Sequence, residues 1–165
     1  MLDAEPVWLD FVDHQYLAPG ERAAPDVIAC ELERVVDHVR PTAVFLPMGL
    51  ANPDHVATHD AGMLLAERRD DIAWFCYEDA GYKHLPGMLA WRVAKLFRGA
   101  LWPTPMIVPV ATDDGRKRTA IERYVSQLTP LERDHALSAR IGAHMPEQYW
   151  LLAPPPTGWE RMRDL

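Results

Sequence analysis

The sequence predicts an α/β fold built on a mostly parallel β-sheet. Short apolar strands alternate along the chain with amphipathic helices, which is the pattern of βαβ units. The clearest strands are Ala43–Leu46 and Asp71–Tyr77, and the second is nearly continuous in apolar residues, as expected for a strand buried on both faces. At 165 residues the chain is long enough for one hydrophobic core. We therefore expect a single α/β domain over 1–153 and a proline-rich tail over 154–165.

The composition argues against nucleic acids and membranes as binding partners. The net charge of −7 provides no basic footprint for nucleic acid or for an anionic membrane surface. The acidic start Met1–Pro6 resembles neither a signal peptide nor a membrane span. Cys30 and Cys76 each lie in an apolar segment, which favours buried free thiols in a reducing compartment. We expect a cytoplasmic protein.

The first elements follow from apolar spacing and from proline. Val7–Phe11 is a plausible first strand. A helix is predicted over Pro25–Arg40, because its apolar residues share one face, and Pro41 ends it. The apolar residues of that face are Val27, Ile28, Leu32, Val35, Val36 and Val39.

The junction after Ala43–Leu46 is the best candidate for a site. The strand breaks at Pro47 and Gly49, and a helix restarts with Asn52 as N-cap and Pro53 as first helical residue. Ligands of open α/β sheets bind in the crevice at the carboxyl ends of the strands, which is where this junction lies.

The helix that starts at Pro53 is expected to run to about Arg69. Its apolar residues Ala57, Ala61, Leu64 and Leu65 are predicted to pack on the sheet. His55 and His59 lie one turn apart and are predicted to project together, away from that stripe. Such a pair can bind one zinc ion. The alternative is a capping histidine beside a solvent-exposed one.

The second half of the chain has fewer regularly spaced apolar residues. Residues 78–87 form a loop at a strand's carboxyl end, and a helix is predicted over 88–97 and a strand over 106–110. A helix after Asp113 buries Ile121, Tyr124, Val125 and Leu128, and another helix starts at Thr129. Tyr149–Leu152 is predicted to be a last edge strand.

The junction also resembles a known family. Asn52-Pro53-Asp54-His55 after a strand and a small-residue loop is similar to the His-Pro-Asp-His segment of the LmbE/PIG-L-like family, which comprises zinc-dependent deacetylases of N-acetylglucosamine-type substrates. Further matches follow in the same order along the chain, at Tyr77-Glu78-Asp79 with Tyr82, at Lys117, Ala120, Tyr124 and Ser126-Gln127, and at Glu147 with Tyr149-Trp150. The resemblance implies a Rossmann-like three-layer sandwich and an N-acetylated amino sugar, or its conjugate, as substrate.

By this resemblance, His55 is a zinc ligand and Asp54 is the carboxylate that orients a neighbouring imidazole. Asn52 stands where the family has a histidine that transfers protons or stabilises an oxyanion; an amide can donate a hydrogen bond to an oxyanion but cannot supply a proton. Tyr82 and Asp79 are expected to shape the substrate pocket, while His59 supports the site or has no role in it. The simpler alternatives are that Asn52 is a plain cap and that Asp54 serves the helix dipole.

One departure from the family is large. The family's first strand ends in Ala-His-Pro-Asp-Asp, which supplies two metal ligands and the catalytic aspartate, and this sequence has no such motif. A catalytic zinc normally has three protein ligands and a water. We therefore expect an N-terminally truncated and impaired zinc-dependent N-deacetylase. The alternatives are a non-catalytic remnant or binding module, and half of a split enzyme completed by a partner chain. A chain lacking early strands is expected to be marginally stable or to form a homo-oligomer.

Overall fold

The computed structural model describes residues 4–18, 20–107, 114–126, 128–129, 133 and 147–159. The helices are α1 (Pro25–Val39), α2 (Pro53–Ala66), α3 (Met88–Arg98) and α4 (Asp114–Glu122), and the strands are β1 (Ala43–Pro47), β2 (Ala73–Tyr77), β3 (Trp102–Met106) and β4 (Tyr149–Ala153). A single 3-10 turn, His14–Tyr16, precedes α1. The mixed α/β class predicted from the sequence is confirmed.

The sheet departs from the prediction in its strand directions. The described strands have the order β1-β2-β4-β3. β1 and β2 are parallel, whereas β4 runs antiparallel to both β2 and β3. The prediction of a mostly parallel sheet is therefore wrong, as is the assignment of Tyr149–Leu152 to an edge strand, because β4 lies inside the sheet. Apolar patterning shows that a strand is buried but does not identify the strands beside it.

Strand β3 occupies Trp102–Met106, ahead of the predicted strand at 106–110. It contains Pro103 and Pro105, which face Leu152 and Trp150 of β4. Proline is tolerated in an edge strand because every second N–H of such a strand has no neighbour to bond to. Because proline is uncommon in strands, the sequence pattern did not predict a strand at these residues. Residues 108–110 lie outside the described residues.

The predicted first strand, Val7–Phe11, is wrong. Residues 4–13 are irregular, and Trp8 is 89% exposed. Leu9 and Phe11 do face the protein, where they line a cavity together with Ile28 of α1 and Ala57 of α2. The alternation of apolar residues thus reflects packing on two helices instead of pairing in the sheet.

Helix α2 packs on β1 through a face that only partly matches the predicted one, since Ala61 and Leu65 are buried but Ala57 and Leu64 are half-buried. Its buried residues are His59, Ala61, Gly62 and Leu65. A Cβ added at Gly62 would lie 2.2 Å from Leu46 Cδ1, so this glycine marks the closest approach of helix and sheet. Glycine does not count as an apolar residue in the sequence pattern. The apolar face predicted from that pattern was therefore rotated about the helix axis relative to the buried face. His59 therefore turns into the protein, and the expectation that it projects with His55 is wrong.

The core lies between the sheet and the helices α2 and α3. Its buried residues are Val36, Leu46, Met48, Leu50, Leu65, Ile72, Trp74, Cys76, Leu96 and Leu152. On the opposite face of the sheet, Phe45 stacks on Phe75 at 4.8 Å between ring centroids and remains 45% exposed. Tyr124, predicted to be buried, is 65% exposed. None of the described helices is long and apolar enough to cross a membrane.

At the other end of the chain, part of the predicted tail contacts the sheet. The ring of Trp159 lies against Trp102 of β3, with centroids 4.9 Å apart. Residues 160–165 lie outside the described residues.

Candidate functional site

The site is built on the junction between β1 and α2. Gly49 adopts a left-handed φ of 69°, which turns the chain from the strand towards the helix. The side-chain oxygen of Asn52 accepts hydrogen bonds from Asp54 N at 2.8 Å and His55 N at 3.2 Å. Asn52 is thus the N-cap of α2, the simpler of the two roles considered for it. The cap fixes the first turn, which carries Asp54 and His55.

His55 is oriented by a buried carboxylate from the end of β2. Its Nδ1 lies 2.7 Å from Asp79 Oδ1, and the other oxygen of Asp79 accepts from Leu50 N at 2.8 Å. Asp79 is only 2% exposed, whereas the side chain of His55 is 40% exposed. An Nδ1–H that donates to Asp79 makes Nε2 the acceptor nitrogen, and this nitrogen can bind a metal ion. The ring is therefore held in the form that a metal ligand requires.

Tyr82 lies beside this imidazole. The two rings are nearly perpendicular, at 88°, with centroids 6.3 Å apart. Tyr82 is positioned by a turn in which its backbone N–H donates to the carbonyl of Asp79 at 2.9 Å. The loop after β2 thus brings both Asp79 and Tyr82 to His55. Asp79, which is expected to shape the substrate pocket, is bonded to the candidate ligand.

Asp54 contacts the imidazole of His14, which precedes α1. Its Oδ2 lies 2.8 Å from His14 Nδ1, and both of its oxygens lie 3.3 Å from the backbone nitrogen of His14. The imidazole that contacts Asp54 is thus that of His14, and the carboxylate that contacts His55 is Asp79. Neighbouring residues on a helix point in different directions, which explains why Asp54 and His55 serve different partners.

A second donor group surrounds Asp54. Single ligand atoms of Asp13, His14 and Asp54 all lie within 4.8 Å of one another. Imidazole nitrogen and carboxylate oxygen are ligand types that zinc accepts, so this donor set, like His55, fits the metal implied by the sequence resemblance. A cavity of about 520 Å³ adjoins the group and shares Asp13 and Asp54 with its lining.

His59 has no access to this group. It is buried, and its Nδ1–H donates to the carbonyl of Pro47 at 2.9 Å. Burial lowers the pKa of His59, the hydrogen bond to Pro47 opposes this shift, and the nearby charge of Arg92 adds to the lowering. His59 therefore serves the protein as a neutral ring that fixes the end of β1.

Cys76, which lies 3.9 Å from His59 Nδ1, is not an activated thiol. Burial raises its pKa to about 12. A nucleophilic or metal-binding cysteine needs the thiolate, so the Cys76–His59 contact belongs to the core.

Sequence reasoning missed two features of the site. The role of Asp79 could have been predicted from the sequence. Asp79 follows β2, which is parallel to β1 and next to it, so the two strands end at the same edge of the sheet. The pairing of His14 with Asp54 joins residues 40 positions apart, and no spacing rule indicates it.

Comparison with solved structures places the fold among deacetylases. The teicoplanin deacetylase Orf2, in its zinc-inhibited form, matches with a TM-score of 0.60 and 21% identity over 81% of this chain and 53% of that chain. The A40926 pseudoaglycone deacetylase Dbv21 matches with a TM-score of 0.58 and 21% identity, over 81% of this chain and 58% of that chain. No protein-family model and no curated protein sequence matches the chain.

These neighbours are LmbE/PIG-L-type deacetylases, so the structural resemblance predicted from the sequence is confirmed as a partial match. At this identity the likeness shows a shared fold. The chain spans little more than half the length of these neighbours.

Proposed function

We propose that this chain is part of an LmbE/PIG-L-like metal-dependent hydrolase that removes the acetyl group of an N-acetylglucosamine-type substrate in the cytoplasm. The observation that carries the proposal is the His55–Asp79 pair, in which a buried carboxylate fixes a half-exposed imidazole at the start of α2. The shared fold supports the reaction class, because the structural neighbours are deacetylases.

Zinc would be held by His55 Nε2, and the group of Asp13, His14 and Asp54 offers a further set of ligand atoms. When bound, zinc polarises the acetamide carbonyl and makes water a stronger nucleophile near neutral pH. Asp79 fixes the His55 ring, and Asp54 holds His14 through its ring and its backbone. Asn52 caps the helix and could donate its amide hydrogens to the oxyanion that forms when water attacks the amide. Tyr82 forms one wall beside His55 and is proposed to contact the sugar.

The rate is expected to be low, because the sequence has no counterpart of the Ala-His-Pro-Asp-Asp segment and hence no assigned general base. General acid–base help is worth about 10²–10⁴ in rate.

The second candidate is half of a split enzyme, and one observation favours it. Among the described strands β1 pairs only with β2, so its other edge can accept a further strand. A strand added in parallel there would end beside His55. A partner chain could in this way supply the absent carboxylates.

Metal analysis of the purified chain tests the proposal. We expect stoichiometric zinc in the wild type, loss of that zinc in His55→Ala, and full retention in the control His38→Ala, which changes an exposed residue of α1. His14→Ala tests whether the second donor group contributes ligands. A wild-type chain that binds no zinc would favour a remnant or binding module.

Activity is measured separately as acetate release from N-acetylglucosamine and from a glycopeptide-type conjugate. Hydrolysis that survives His55→Ala unchanged would contradict the assignment of this site.

A further inference from the structure

Arg92 is a buried cation directly behind the candidate site. It lies on the core-facing side of α3 and is 1% exposed. Its Nη2 donates to the carbonyl of Gly49, and its Nη1 lies 3.7 Å from Asp60 Oδ1. Its Nε is buried without a hydrogen-bond partner among the described residues. Burying a guanidinium that is only partly paired is costly, so the contact with Gly49 calls for an explanation beyond packing.

The Gly49 carbonyl belongs to a loop whose successive residues are all held by buried partners. Pro47 accepts from the ring of His59 at 2.9 Å, and Met48 N donates to the carbonyl of Tyr77 at 2.8 Å. Leu50 N donates to Asp79 at 2.8 Å. Arg92 provides the contact for Gly49, so three elements outside the loop, α2, β2 with its following residues, and α3, fix its path.

The guanidinium and the backbone of His55 both lie close to Gly49. A Cβ added at Gly49 would lie 3.1 Å from Arg92 Nη2 and 3.2 Å from the carbonyl oxygen of His55. Arg92, Gly49 and the His55 backbone therefore surround the same small volume. A shift of the guanidinium changes the space into which the first turn of α2 packs.

We propose that Arg92 is a positioning residue, whose guanidinium fixes the Gly49 carbonyl and thereby holds His55 where its Nδ1 meets Asp79. Arg92 acts through the loop and does not itself touch the metal or the substrate. The inference rests on the proposed function for the role of His55 as a ligand, but the orientation of the ring is independent of that role.

The test uses the full chain without metal, labelled with ¹⁵N-histidine. The ring nitrogens of His55, assigned by comparison with His55→Asn, report which nitrogen carries the proton. We expect one tautomer, protonated at Nδ1, in the wild type. In Arg92→Met, which has a long side chain but no donor, we expect signals of mixed tautomers. Arg98→Met, an exposed change on the same helix, is expected to leave the His55 spectrum unchanged.

A folded Arg92→Met with the wild-type His55 spectrum would overturn the proposal. If Arg92→Met does not fold, Arg92→Lys is measured instead, since one amine cannot reproduce the planar guanidinium between Gly49 and Asp60. There, a wild-type spectrum together with a wild-type thermal melt would overturn it.

Zinc affinity gives a second readout, and we expect a loss of at least about tenfold in the Arg92 variant. A wild-type chain that binds no zinc would refute the proposed function, while the ring spectrum would still decide the role of Arg92.

Discussion

At the scale of single residues, the site depends on which carboxylate holds which of two imidazoles, His55 in the first turn of α2 and His14 in the 3-10 turn before α1. Asp79 is buried and bonded to both His55 and the backbone of Leu50. Asp54 is more exposed and serves His14. Each of the two carboxylates therefore holds one imidazole, and the two imidazoles belong to different elements.

We expect Asp79→Asn to weaken zinc binding by about 10–100-fold, because the amide cannot fix the His55 ring as a carboxylate does. Isothermal titration calorimetry with zinc gives the affinity directly. Asp70→Asn, at an exposed acidic residue, serves as the matched control and should bind zinc like the wild type. Equal affinities of the Asp79 and Asp70 variants would mean that Asp79 does not support the ligand.

His59 predicts a dependence of stability on pH. Burial lowers its pKa from the ordinary histidine value of 6.5, so below that pH the unfolded chain takes up a proton that the folded ring resists. The free energy of unfolding should therefore fall as the pH drops below 6.5 and should be insensitive to this group above it. One such group contributes at most about 1.4 kcal/mol per pH unit.

Urea unfolding between about pH 5 and pH 8 measures this effect. His59→Gln should remove this part of the pH dependence, whereas His38→Gln, at an exposed histidine, should preserve it. A His59→Gln variant with the wild-type pH profile would show that the buried ring is not responsible.

Individual residues were predictable where local chemistry decides their role. Asn52 and Pro53 specify a helix start by hydrogen bonding and backbone geometry alone, and the structure has that start. Arg92 was not predicted, although it stands between Leu89 and Leu96 on the apolar side of its helix. An arginine at such a position is a signal of a buried charge that sequence reasoning can use.

At the scale of elements, the turn that connects β1 to α2 has no space for a side chain at Gly49. A Cβ at Gly49 would lie 2.8 Å from His59 Cβ, and the residue has a positive φ. Gly87, the N-cap of α3, also has a positive φ, but a Cβ there would have no heavy atom within 4 Å. A substitution at either glycine would strain the backbone, but only a substitution at Gly49 would also meet a steric conflict.

Gly49→Ala should destabilise the protein more than Gly87→Ala does. Both substitutions carry the cost of a left-handed conformation, about 1–2 kcal/mol. Only the first also crowds His59, which adds about 1–3 kcal/mol. Chemical denaturation of the two variants beside the wild type provides the comparison, and similar losses would contradict the close packing described here.

Element types were more predictable than their arrangement. The helices α1, α2 and α3 and the strands β1 and β2 follow from apolar spacing, caps and proline. The place of β4 does not, because a strand inserted antiparallel between β2 and β3 has the same pattern as one added at an edge. Pairing depends on contacts that are distant in the sequence, which local patterns do not record.

At the scale of the whole molecule, the sheet has an apolar face that the described core does not cover. Phe45 stacks on Phe75 and meets Tyr149 edge-on, with ring centroids 5.4 Å apart. Exposed aromatic surface beside an open strand edge favours association.

We therefore expect the isolated chain to self-associate at micromolar concentrations, and Phe45→Thr to shift it towards the monomer. Sedimentation velocity over a dilution series measures the change. Val27→Thr, at an exposed residue of α1, is the matched control and should associate like the wild type. A wild type that sediments as a monomer and melts cooperatively would count against this expectation.

The position of β4 has a consequence for how the chain is made. During synthesis the ribosome releases β1, β2 and β3 well before Tyr149 emerges, yet β3 is joined to the rest of the sheet through β4. In a nascent chain, β3 therefore cannot join the sheet of β1 and β2 until Ala153 has left the ribosome. A premature stop ahead of Tyr149 would leave the β1–β2 pair and the single strand β3 with no described strand to join them.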